Sequence, residues 1–223
     1  MAKRFEERNP ITKWEIMAKN PLIFEKNNKA VICGKIEEDF KFDHIQAGSN
    51  NKIFRSRVIV KKNKKKDCVP IMVSEKLLES VNMKGKWIKL AGVARIKLLQ
   101  KESGFFKKEL YILVNECMFF QEEIPGENIL FLRGNLSKDG YSFDNKKVDI
   151  MLKVPRRNEN EEDYIPCVVY GPAFDIAVKL KKETQVCFFC RFQSREYGKE
   201  ISEGVFERRV AYELVTSLVR VLD

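Results

Sequence analysis

Apolar and polar residues alternate with a period of two through most of this chain, the signature of half-buried strands. Such runs predict strands near 29–38, 53–61 and 68–74, then near 86–97 and 108–119. Between the third and fourth, Ser74 can cap a short helix over 75–81, because Leu77, Leu78 and Val81 fall on one helical face. The succession then returns: strands near 128–137, 148–155 and 163–170, a helix near 172–180, and strands near 184–197 and 206–220. Five strands with a helix between the third and fourth is the order of an OB-fold barrel. The predicted fold is therefore all-β with short helices, as two tandem five-stranded OB-fold barrels.

The return is also a sequence repeat. Lys29–Ile36 aligns with Ile129–Leu136, placing Gly34 on Gly134. Asp67–Ser74 aligns with Asp163–Tyr170, placing Pro70 on Pro166, and Trp87–Arg95 aligns with Gln185–Gln193. The offset drifts only from 100 to 96 to 98, as loops of unequal length would produce. The organisation expected is an N-terminal arm over 1–27, a first OB-fold domain over 28–122 and a second over 123–223. The arm carries Trp14, Ile16, Met17, Leu22, Ile23 and Phe24, enough apolar side chains to pack on a barrel or a second subunit.

Charge divides the repeats. Residues 28–122 hold 20 Lys and Arg against 11 Asp and Glu, while 123–223 hold 16 against 17, within a total of +10. A basic first half suits a polyanion, either nucleic acid or an anionic membrane surface, and equally suits a solvated surface rich in lysine. No run approaches the ~20 apolar residues of a membrane span. Residues 1–20 have no apolar core of a signal peptide, so a cytoplasmic protein is expected. The six cysteines lie in apolar runs and read as buried thiols. Cys187 and Cys190 form a lone CxxC without further ligands, and His44 is the only histidine, so neither a metal nor another cofactor is predicted. There is no nucleophile–base pair, P-loop or deaminase signature, and no enzyme is expected.

Several segments of the second repeat resemble the bacterial single-stranded DNA-binding protein family. They are Asn128–Leu136, Met151–Arg157, Asp163–Gly171, Arg191–Tyr197 and Arg209–Glu213, in the family's order. The tandem arrangement is similar to the variant of low-GC Gram-positive bacteria and their phages. The resemblance implies sequence-tolerant single-stranded DNA binding in replication, recombination or repair. It also implies four OB folds per assembly, hence a homodimer of this chain. Two departures stand out: Cys190 replaces the glycine usual in the fourth strand, and no acidic tail follows the last strand, so docking of partner proteins through such a tail is not expected.

Strand parity sorts the candidate binding residues. Arg191, Gln193, Arg195 and Tyr197 share one face of their strand, and Tyr164 and Tyr170 share one face of theirs. The three tyrosines match the family's base-stacking positions, with Arg156, Arg157 and Arg209 as further cations; alternatively the tyrosines simply cover the barrel. In the first repeat Cys68, Ser74 and Leu99 stand where the tyrosines would be, but Arg55, Arg57, Lys61, Lys62, Arg95, Lys97 and the loop Lys64–Lys66 are basic. The expectation is a division of labour, with repeat one attracting the phosphate backbone and repeat two stacking bases. An RNA-binding OB module and a protein-assembly scaffold remain alternatives.

Overall fold

The computed structural model describes residues 27–62, 65–100, 106–156 and 161–222. The first repeat forms β1 (Asn28–Ile36), β2 (Lys41–Ile45), β3 (Lys52–Lys62), β4 (Lys65–Ser74), a 3-10 turn (Glu75–Leu77), β5 (Trp87–Gln100) and β6 (Phe106–Phe120). The second forms β7 (Glu127–Leu136), β8 (Lys147–Pro155), β9 (Glu162–Tyr170), a 3-10 turn (Gly171–Ala173) running into α1 (Phe174–Ala177), β10 (Gln185–Ser202) and β11 (Val205–Val221).

Pairing closes each repeat on itself. β1 joins β3 and β5, β3 joins β4, β5 joins β6, and a parallel contact between β4 and β6 completes the ring. β7, β8, β9, β11 and β10 make the same circuit, again with one parallel contact, between β9 and β11. Antiparallel pairing of β1 with β7 fuses the rings into one 11-stranded sheet. Alternation delivers the core as predicted: in β8, Val148, Ile150, Leu152 and Val154 are buried and the residues between them are not. One contiguous cluster of buried apolar side chains, from Ile32 and Val58 to Phe188 and Leu214, fills both rings.

The aligned glycines have a steric cause. At Gly34, β1 exchanges its β7 partner for β3; at Gly134, β7 exchanges β1 for β8. A Cβ would lie 2.4 Å from the Ile59 carbonyl oxygen at Gly34 and 2.1 Å from that of Lys153 at Gly134. The bulges match as well: β5 slips against β6 between Ala91 and Gly92, and β10 against β11 between Phe189 and Cys190. Cys190 keeps the bulge without glycine by turning its sulfur inward, 3.2 Å from the Thr216 hydroxyl.

Three local features differ from expectation. The helix over 75–81 is only a 3-10 turn; Ser74 caps it as predicted, its Oγ accepting from the Lys76 amide. Beyond it Ser80, Val81 and Asn82 favour irregular backbone, and buried Met83 fills the barrel end instead. The helix over 172–180 shortens to Gly171–Ala177, and β2 adds a hairpin strand against β3. The proposed arm lies outside the described residues except Asn27, whose carbonyl accepts from the Arg133 amide at 2.7 Å. All six cysteines are free; burial first, and the adjoining Glu127 carboxylate next, push the Cys33 thiol up to about 12.

Candidate nucleic-acid interface

On the outer surface of the second ring, β8 and β9 set Lys147 beside Tyr170 and Lys153 beside Tyr164. Tyr164, Tyr170 and Tyr197 are 43%, 40% and 37% exposed. They are partly exposed and are held by strands rather than loops. β10 and β11 pair Tyr197 with Arg209, and the Arg195 guanidinium lies 5.9 Å from the Tyr197 ring centre, within cation–π range. Charge also gathers at Tyr170. Partial burial raises its phenol, the Glu213 carboxylate adds to that, and Lys147 and Arg195 oppose it. The structure thus leaves Tyr164 and Tyr170 on the outside of barrel two, with the parity read from the sequence, whereas Arg195, Tyr197 and Arg209 lie on the stretch of the β10–β11 hairpin beyond its pairings with β7 and β9.

The other candidate cations are largely engaged within the molecule. Asp163, almost fully buried, accepts from Arg95 at 2.6 Å and from Arg156 at 3.0 and 3.1 Å. Burial alone would raise its carboxyl, but the hydrogen bonds from Arg156 and Arg95 outweigh that and hold it below the ordinary range. Arg191 donates to Asp67 at 2.7 Å and also to Gln193, which donates in turn to Glu213. These contacts with Asp67 and the Arg95–Asp163 pair cross from one barrel to the other. Arg57 lies on Glu37 and Glu38, Lys97 on Asp43, and Arg209 on Glu207. Among the described residues Arg55 and Lys61 are exposed and meet no carboxylate. Arg157 and Lys64, and the side chain of Lys62, lie outside the description.

Barrel one has a cleft of about 270 Å³ where barrel two has its tyrosine face. Register shows the equivalence: Arg55 pairs with Met72 and Arg57 with Pro70, as Asp149 pairs with Val168 and Met151 with Pro166. Two arginines therefore replace an acid and a methionine. Tyr111 and Tyr212 also line the cleft, and sequence reasoning missed both. Tyr111 was findable, since it shares the outward parity of Glu109 on β6. Tyr212 shares the inward parity of Leu214 and packs on Phe192 with ring centres 5.9 Å apart. Because β11 runs on past its own barrel, Tyr212 reaches the cleft of the other.

No family model matches the sequence, and neither does any curated protein. Solved structures do match in shape. The wild-type single-stranded DNA-binding protein of Thermus aquaticus superposes with a TM-score of 0.65 at 13% identity, covering 88% of this chain and 93% of that one. A deletion variant of the same protein gives 0.66 at 13% identity, over 87% and 94%. This chain has that protein's fold. At such identity the likeness is one of architecture.

Proposed function

We propose that this protein is a non-catalytic binder of single-stranded DNA, tolerant of sequence, acting in the cytoplasm in replication, recombination or repair. The observation that carries this reading is the set of half-exposed tyrosines fixed on strands beside Arg195 and Lys147. A single strand exposes base faces that such rings can stack, while the cations track its phosphates. The two repeats act as OB-fold domains over 28–122 and 123–223. Barrel two supplies Tyr164, Tyr170 and Tyr197; barrel one supplies Arg55, Arg57 and Lys61, with its own Tyr111 and, reaching in from β11, Tyr212 as rings. Arg95 and Arg191 position the two faces relative to one another by tying the barrels together, and Arg156 braces Asp163, the acid that Arg95 meets.

A homodimer with four OB folds is part of the proposal. β6, β5, β1, β7, β10 and β11 are consecutive neighbours across the molecule. Their outward rows set Met118, 63% exposed, beside Lys89, and Ile129, 38% exposed, beside Val31. Exposed apolar side chains on a run of neighbouring strands suit a second copy of the chain.

Titration with dT oligomers of several lengths at two salt concentrations, read by tyrosine and tryptophan quenching, tests the reading. Saturable quenching that weakens with salt is expected, along with a dimer on sizing of the free protein. Preference for matched RNA over poly-dT in competition would favour an RNA module instead. No shift with either polymer at low salt would favour an assembly scaffold.

A further inference from the structure

The outer face of β3 continues past the barrel-one cleft. Arg55, Arg57, Ile59 and Lys61 share its outward parity, and over those residues the strand advances about 20 Å. Beyond Arg57 a second cleft opens, of about 410 Å³, lined by Lys35, Lys61, Lys66, Lys84, Trp87 and Ile59 together with the carboxylates Glu37 and Glu123. Register explains the convergence. Lys35 lies opposite Ile59 on one side and Trp87 on the other, and Lys61 lies opposite Lys66. Among the described residues no ammonium group of the four lysines meets a carboxylate, although the Lys84 backbone amide donates to Asp39 at 2.8 Å. One of these carboxylates, Glu37, is engaged by Arg57 at 3.1 Å and by the Cys68 thiol at 3.5 Å. The other, Glu123, is exposed. The result is a cationic hollow of nucleotide size with an indole beside it, joined by β3 to the arginine-lined cleft.

We infer that this second cleft carries the bound single strand onward from the barrel-one cleft, with Lys35, Lys61 and Lys66 contacting phosphates and Trp87 stacking a base. The inference rests on the proposed function and extends its path round the end of barrel one. It accounts for lysines clustered far from the tyrosine face of barrel two, which a path confined to that face would leave without a role.

The test uses the full chain with Trp14→Phe, which leaves Trp87 as its one tryptophan. It is titrated with an end-labelled dT oligomer of about 30 nucleotides, long enough for two OB folds. Anisotropy of the label reports binding, and indole emission reports Trp87. Binding should quench Trp87 in parallel with the anisotropy rise. In a Lys35→Ala/Lys61→Ala/Lys66→Ala variant with an unchanged unfolding transition, the slope of log affinity against log salt should fall by about 2, from three phosphates at ~0.7 each. Binding by anisotropy with Trp87 emission unmoved and the slope unaltered would overturn this inference and leave the proposed function standing. No anisotropy change at low salt would instead remove the function, and this extension with it.

Discussion

At the scale of single residues, stacking and charge should separate experimentally. Tyr170 is a partly exposed ring, whereas Arg55 is an exposed cation without a carboxylate partner. Tyr170→Ala should weaken single-strand binding by roughly 1–3 kcal/mol and leave the salt slope nearly unchanged. Arg55→Ala should flatten that slope by about 0.7, the contribution of one phosphate contact. Affinity measured for both variants across a salt series checks this, and the reverse pattern would defeat the assignment. The outward placement of Tyr164 and Tyr170 was legible because strand parity alone decides which side of a sheet they occupy. The fate of the arginines was not. Arg95, Arg156 and Arg191 look as available in sequence as Arg55, yet Arg95 and Arg191 meet acids more than 60 positions away. A long-range ion pair leaves no local trace that distinguishes it from a cation waiting for phosphate.

At the scale of elements, ten strands followed from alternation with most ends within three residues, β10 running five further to Ser202, and the repeat told which landmarks mattered. Gly34 and Gly134 each stand where a first strand changes partner, and any side chain there meets a neighbouring carbonyl oxygen. Gly134→Ala should therefore destabilise the protein by about 1–3 kcal/mol, the range for forcing extra atoms into a packed site. Gly198→Ala is the control, since its Cβ would meet only the Phe206 side chain at ordinary contact distance, 3.5 Å. Urea unfolding of the two variants should show a large drop in midpoint for the first and little for the second. The helices and β2 were less legible for a common reason. They are short segments between barrel strands, and tertiary fit decides their length: Met83 closes the first barrel where a longer helix was expected. β2 offers no such run, since Lys41, Phe42, His44 and Ile45 are all exposed.

At the scale of the molecule, the duplication has become a two-fold relation inside one chain. β1 and β7 cross with Ala30 opposite Leu130, Asn28 opposite Leu132 and Ile32 opposite Asn128, so each strand presents the other with the same positions of the repeat. The seam repeats this symmetry in its polar contacts. Asn28 brackets Ala94 with two backbone hydrogen bonds, and Asn128 brackets Phe192 in the same way. Likewise the aligned Asp67 and Asp163 each accept an arginine from the opposite barrel. Symmetry is broken at the acids: Asp163 holds two arginines and is 2% exposed, whereas Asp67 holds one and is 8% exposed. Removing one partner of a buried ion pair costs about 3–5 kcal/mol, because it strands the other charge. Asp163→Asn should approach the lower end, since Arg95 and Arg156 keep some contact with water, and should exceed Asp67→Asn. The pH dependence has a fixed sign. Asp163 titrates lower in the fold than in the open chain, so its contribution is complete above the unfolded value of about 3.9 and fades as acid protonates the folded carboxylate. Urea midpoints of wild type and Asp163→Asn should differ most at neutral pH and converge as pH falls below about 4. A gap independent of pH would show that the barrels are held by packing along β1 and β7, with the arginine seam a bystander.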